Sequence, residues 1–229
     1  MKKLVIIPAY NESASIVNTI KDVTDNAPGF DYIVVNDCSK DDTKKICEEN
    51  DINYLNLPIN LGIGGAVQSG YMYALRKGYD IAVQFDGDGQ HSAKYLEAMA
   101  DKLVADNLDM VIGSRYINKE GFQSSFMRRV GIKFFYLLIK LLTGKKITDP
   151  TSGMRMINRD TIREFAEDYP KDYPEPESVV SIICRGRNVA EVPVVMNERS
   201  EGVSSISARK SVYYMIKVTI AILIARLRK

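Results

Sequence analysis

Two carboxylates one residue apart close a short apolar run at residues 81–91, IAVQFDGDGQH. Along a strand, Asp86 and Asp88 would point to opposite faces. At a strand end, with Gly87 between them and Gly89 after, the chain can turn and bring both to one ion. Oxygen ligands of that kind suit Mg²⁺ or Mn²⁺, which also take water and phosphate oxygens. A plain Asp-Gly turn is the competing reading of the same residues. Further polar groups sit after other apolar runs: Asn11 and Glu12 in PAYNE, and Asp37 in NDCSKDDT. His91 is the single histidine, which excludes a multi-histidine metal cluster.

These groups need elements that bring them together. Residues 4–7, 32–35, 52–57, 81–85 and 110–113 read as strands, the first of them a continuous apolar run of the buried parallel kind. Between them the pattern predicts helices over 13–26 with Ser13 as cap, from Asp41 or Asp42 to 50, over 62–76 with Gly78 as stop, and over 94–105. The alternation predicts an α/β fold with a mostly parallel sheet. In such sheets ligands bind at the carboxyl ends of the strands. Asn11, Glu12, Asp37, Asp86 and Asp88 should therefore share one rim, which favours the metal reading over the turn. Farther on, 124–142, 159–169 and 211–227 read as helices and 192–196 as a strand. YPEPE at 173–177 reads as a proline-stiffened loop.

The 229 residues suit one domain, or one domain with an appendage, and 45% hydrophobic content is enough for a core. A net charge of +2 gives no ground for a nucleic-acid partner. The charge is uneven, though: residues 115–146 hold eight basic residues against the single acid Glu120. Cys38, Cys47 and Cys184 form no CxxC pair, which reads as reduced thiols in a cytosolic setting. The apolar run after Met1-Lys2-Lys3 stops at Pro8, too soon for a signal peptide. The glycines at 62, 64, 65 and 70 miss the dinucleotide register, because Val67 stands at its last position. No P-loop pattern occurs either. Gly64 and Gly65 permit close backbone approach at a helix start, for packing or for a phosphate.

With PAYNE, NDCSKDDT, NLGIGGAVQSG, FDGDGQH and GSRY in that order, the chain resembles the family 2 glycosyltransferases of the nucleotide-diphospho-sugar (GT-A) fold. Within them it resembles the dolichyl- and polyprenyl-phosphate sugar transferases, and DPTSGMRMINR and EVPVVMNERSEGVS also fit. The resemblance implies that Pro8, Tyr10, Glu12 and Asp37 hold the nucleotide, with Asp86 on the sugar or ribose side. It implies that Asp88 and Gln90 hold the Mg²⁺ or Mn²⁺ bridging the diphosphate, and that Arg199 steadies the leaving group. Such relatives usually continue Gly-x-Ser-Lys; here Ser205 follows Gly202-Val203-Ser204, so that lysine is missing.

The implied reaction is an inverting transfer from a nucleotide sugar, UDP-linked glucose or N-acetylglucosamine, for cell-wall or surface polysaccharide modification. A sugar hydroxyl acceptor requires a general base, for which Glu175 and Glu177 are the candidates. A lipid phosphate, with a second pKa near ~6, requires cations instead, for which Arg115, Arg128 and Arg129 are the candidates. The favoured acceptor is polyprenyl (undecaprenyl) phosphate; the rivals are a growing polysaccharide and a non-catalytic nucleotide-sugar scaffold. Residues 1–205 would form the catalytic domain and 206–229 an apolar, basic helix for membrane or oligomer contact. No stretch reaches the ~20 apolar residues of a span, and basic helices with apolar faces read as interfacial. The expected location is the cytoplasmic face of the membrane, held peripherally, with a small membrane-protein partner or self-association through the last helix.

Overall fold

The computed structural model describes residues 1–118, 120–121, 126–197 and 208–227. Its centre is a seven-stranded sheet of β1 (Lys3–Ala9), β2 (Asp31–Asn36), β3 (Tyr54–Asn56), β4 (Ile81–Gln84), β5 (Met110–Ser114), β6 (Arg155–Asn158) and β7 (Val189–Pro193). The strand order is β3-β2-β1-β4-β6-β5-β7. Within the sheet β6 pairs antiparallel to both β4 and β5, while the remaining pairings are parallel.

The apolar runs predict this arrangement because both faces of the sheet are covered. Side chains alternate between faces along a strand, and the core divides accordingly. Leu4, Ile6, Ile33, Val35 and Ala82 face a layer made by α3 (Gly62–Lys77), α5 (Phe126–Thr143), α6 (Arg159–Glu167), α7 (Pro174–Cys184) and α8 (Ala208–Leu227). Val5, Ile7, Val34, Ile81 and Val83 face α1 (Ile16–Asn26), α2 (Thr43–Glu49) and α4 (Leu96–Ala105). A 3₁₀ turn at Ala93–Tyr95 leads into α4.

Four local expectations shift. Ser15, not Ser13, precedes α1, and it makes no capping bond; its hydroxyl turns to the Glu12 carboxylate at 2.8 Å. The third strand shrinks to three residues. The last strand begins at Val189, three residues early, because register with β5 overrides the apolar run. YPEPE is not a loop: Pro174 starts α7, where a missing N–H costs nothing and the fixed φ suits the helix. Two glycines of α3 serve packing against other elements. A Cβ on Gly64 would meet the Pro170 and Lys171 carbonyls at 2.2 and 2.3 Å, and one on Gly70 would meet Ile6 at 2.2 Å.

Candidate active site

Because β1 pairs with β2 on one side and β4 on the other, the sheet switches direction of growth at β1. A crevice opens at the carboxyl ends of the strands at such a point. The loops there are tied to one another. Asn11 adopts a φ of 58°, which asparagine tolerates better than most residues. It donates its N–H to Ser39 Oγ (3.0 Å) and accepts from the Lys40 N–H at its Oδ1 (2.8 Å). Glu12 donates its N–H to Thr43 Oγ1 at 2.9 Å. Gly87 is pressed against the end of β1: an added Cβ would lie 3.2 Å from the Pro8 carbonyl and 3.6 Å from Glu12 Cγ. Asn11, Glu12, Asp37, Asp86 and Asp88 thus do share a rim.

Asp37 is buried, and its Oδ1 accepts the Leu61 N–H at 2.7 Å just before α3. Burial pushes its carboxyl up, and the Leu61 and Gly62 N–H groups partly offset that. Another donor at this helix start, Gly64 N–H, goes to the Lys171 carbonyl at 3.2 Å. The start of α3 is therefore filled by protein groups. Pro8 is buried in β1, and Tyr10 is exposed just beyond it.

Asp86 and Asp88 differ in setting. Asp88 is buried, and its Oδ1 accepts the Gln90 N–H at 3.0 Å, which fixes the turn. Asp86 presents its carboxylate half-exposed. His91, which the sequence offered only as the single histidine, is buried against Phe85 and accepts the Asp86 N–H at Nδ1 (2.9 Å). With Nδ1 accepting, the ring proton sits on Nε2, 3.6 Å from Asp86 Oδ2. Gly153 closes the other side: a Cβ there would lie 2.5 Å from Asp86 Oδ2.

Among the described residues no cluster of three or more His, Cys, Asp or Glu side chains stands ready to cage an ion. Asp88 and Gln90 offer oxygen donors beside a second carboxylate. That donor chemistry fits Mg²⁺ or Mn²⁺, which bind through one or two carboxylates with substrate phosphates and water completing the shell.

Arg115 lies at the rim but is buried in a fork with Asp149: Nε donates to Oδ2 (2.7 Å) and Nη2 to Oδ1 (2.8 Å). Nη2 also reaches Thr151 Oγ1 at 3.1 Å. Burial opposes its charge, Asp149 more than restores it, and Asp86 adds to that. The expectation that this guanidinium meets an acceptor phosphate runs against that geometry, since a bidentate carboxylate pair already occupies it. Glu191 on β7 in turn accepts the Thr148 and Asp149 N–H groups (2.7 and 2.8 Å). Arg128 and Arg129 are exposed in the first turn of α5. Arg199 lies outside the described residues.

Glu175 and Glu177 both fall in the first turn of α7, and residues two apart on a helix do not share a face. Glu177 lines a cleft between α7 and α8 with Ser181 and Lys217. Burial pushes the Glu175 carboxyl up, Arg155 pulls it down, and the Asp86 charge pushes it up further. Arg155 is a residue that sequence reasoning missed. It is fully buried and donates to the carbonyls of Ser152 (2.8 Å), Pro150 (3.3 Å) and Pro174 (3.4 Å) and to Ser178 Oγ (2.6 Å). An arginine between two methionines in a strand was the available signal.

Comparisons with known proteins establish the fold and the family. Crystal structures of glucosyl-3-phosphoglycerate synthase from Mycobacterium tuberculosis share the fold. The complex with phosphoglyceric acid matches with a TM-score of 0.75 at 18% identity, covering 98% of this chain and 79% of that one. The complex with Mn²⁺, UDP and phosphoglyceric acid matches at 0.74 and 19%, covering 98% and 78%. The class is thus the GT-A glycosyltransferase fold. Within it, the chain belongs to glycosyl transferase family 2, whose family model matches residues 4–165. It is 31% identical over 216 residues to the undecaprenyl-phosphate mannosyltransferase of Micrococcus luteus, covering 90% of this chain and 88% of that one. It is 33% identical over 212 residues to the UDP-N-acetylglucosamine–dolichyl-phosphate N-acetylglucosaminyltransferase of Methanococcus voltae, covering 82% and 83%.

Proposed function

We propose that this chain moves a sugar, with inversion, from a nucleotide diphosphate to a polyprenyl phosphate at a membrane surface. The carrying observation is its match, over more than four-fifths of both chains, to two relatives named for lipid-phosphate acceptors. UDP in the fold neighbours supports a uridine donor, with Pro8, Tyr10, Glu12 and Asp37 around the nucleoside. Asp88 and Gln90 would hold Mg²⁺ or Mn²⁺. The ion supplies Lewis-acid stabilisation of the departing diphosphate. Arg199 is assigned to the same diphosphate.

In the transfer, an acceptor phosphate oxygen bonds to the anomeric carbon as the bond to the donor diphosphate breaks. A phosphate monoester is largely a dianion at neutral pH, so the attack requires no base. Arg128 and Arg129 then position the acceptor, and Arg115 fixes the loop beside it through Asp149.

The apolar surface supports the location. On α5, Val130, Phe134, Leu137 and Leu141 are exposed at helical spacing, opposite buried Ile132, Phe135 and Ile139. On α8 the exposed series is Tyr213, Ile216, Ile220, Ile224 and Leu227, opposite Val218 and Ile222. The helices meet through Phe135 and Tyr214, 5.9 Å apart. Among the described residues no helix is long and apolar enough to cross a membrane. Two such stripes beside basic residues suit an interfacial seat. Residues 206–229 would act with α5 as that seat and 1–205 as the catalytic domain.

A donor-by-acceptor screen tests the reading, with undecaprenyl phosphate and soluble sugars as acceptors. Arg128→Ala and Arg129→Ala should strongly reduce transfer to the lipid phosphate while UDP affinity holds. Transfer to a sugar hydroxyl that survives both changes and is abolished by Glu175→Gln or Glu177→Gln would put a polysaccharide acceptor in its place.

A further inference from the structure

Tyr95 ends the 3₁₀ turn that follows the FDGDGQH stretch. That turn is fixed to the body of the protein. Ala93 and Leu96 are fully buried, and the Ala93 N–H goes to Asp22 Oδ2 on α1 at 2.7 Å. The Tyr95 ring packs half-buried against the core layer shared by α1 and α4. Its hydroxyl reaches the chain just beyond β7, where it accepts the Val195 N–H at 3.1 Å.

The chain after β7 is held on two sides. Val194 donates its N–H to the Ser114 carbonyl at the end of β5 (3.0 Å). Val195 donates to Tyr95, and Asn197 donates to the Gln90 carbonyl at 2.9 Å. Val194 and Met196 meanwhile bury their side chains in the core. Gly121 closes in as well: a Cβ there would lie 2.5 Å from Val195 Cγ1 and 3.1 Å from the Met196 carbonyl. Gln90 is thus fixed at both of its backbone groups, its N–H by Asp88 Oδ1 (3.0 Å) and its carbonyl by Asn197. Without the Tyr95 hydroxyl, the Val195 N–H loses its acceptor, and an unmade bond of this kind is costly. The segment would shift to find another, and the donor two residues on is the one that holds Gln90.

We propose that Tyr95 is a positioning residue for the metal site: by holding the Val195 N–H it keeps residues 194–197 on the Gln90 carbonyl and so fixes the turn that presents Asp88 and Gln90. The proposal rests on the metal assignment above and adds a residue to it. Groups that orient a metal ligand set its affinity without touching the ion.

The test compares Tyr95→Phe with Tyr79→Phe in the full chain. Tyr79 lies just before β4, at the end of that strand away from the site, and its hydroxyl bonds to Asp31 Oδ2 at 2.9 Å. Each variant loses one hydroxyl and keeps the ring, so both should fold and melt somewhat below wild type. Calorimetry of UDP binding across a series of Mn²⁺ concentrations separates them. In Tyr95→Phe the Mn²⁺ concentration that half-maximally strengthens UDP binding should rise about tenfold, the lower end of the effect of losing a group that orients a metal ligand. UDP affinity in excess chelator should hold. Tyr79→Phe should leave both at wild-type values. Hydrogen exchange of the metal-free protein gives a second readout: peptides covering 86–91 and 194–197 should exchange faster in Tyr95→Phe. A wild-type Mn²⁺ response in Tyr95→Phe overturns the proposal, and so does an equal loss in Tyr79→Phe. If UDP binding by the wild-type chain ignores Mn²⁺, the metal reading fails. Exchange then decides the brace by itself, and unchanged exchange over 86–91 overturns it.

Discussion

At the scale of single residues, the site is a set of carboxylates with different tasks. In the proposed reading Asp88 would face the ion and Asp86 the sugar, while Asp37 accepts the Leu61 N–H at the start of α3. Asp88→Asn keeps the bond from the Gln90 N–H through its amide oxygen. It should therefore melt within a few degrees of wild type while metal-stimulated transfer is lost; an unchanged response to chelator would remove Asp88 from the metal site. Arg115 carries a different expectation from the one its sequence context suggests. Removing one partner of a buried ion pair costs about 3–5 kcal/mol because the other charge is stranded. Arg115→Ala should thus show a large loss in denaturant stability, and Asp149→Asn should add little to it. Fully additive losses would mean that the pair is not a unit. Asp86, Asp88 and the PAYNE loop were legible in the sequence, because glycine beside acid at a strand end is a local signal. Asp149, Arg155 and Gln84 were not. Asp149 pairs with Arg115 and Gln84 meets Tyr169, both far away in sequence, and only the sheet register shows that Arg155 faces Gln84.

At the scale of elements, the first half of the chain was readable because strand and helix periodicities alternate cleanly there. The second half was read less well for two physical reasons. Proline in YPEPE signals a break, yet at N1 it starts a helix. The last strand is chosen by its pairing with β5, which local hydrophobicity does not report. The helices α5 and α8 were legible as helices, and their exposed apolar stripes carry a prediction of their own. Leu141 and Leu227 are each 83% exposed, so a charge there leaves the fold intact. Leu141→Glu and Leu227→Glu should weaken sedimentation with vesicles rich in anionic lipid. Binding should also fall between low salt and 1 M salt, where the screening length drops to about 3 Å. Binding that ignores both the substitutions and the salt would rule out this face as the lipid contact.

At the scale of the whole molecule, stability should depend on pH through acids that burial pushes up, Glu175 and Glu191 among them. An acid whose folded-state pKa is raised contributes stability that is complete below its unfolded pKa. That stability is lost as pH rises through the folded value. Melting temperature should therefore decline across that window, and Glu175→Gln should flatten part of the decline. An identical slope in the variant would show that Glu175 titrates normally. The topology has a consequence for how such a chain is made. β2, β3 and β4 can each join the sheet as they leave the ribosome, because each pairs with a strand already synthesised. β5 cannot: its partners are β6 and β7, both later in the chain. Until residues 155–158 emerge, β4 is an open edge of apolar residues and β5 has no place in the sheet. Such an edge is a template for unwanted pairing between nascent chains. The strand that closes it begins with Arg155, two residues after Gly153, so closing the β4 edge also brings the Gly153 turn against Asp86.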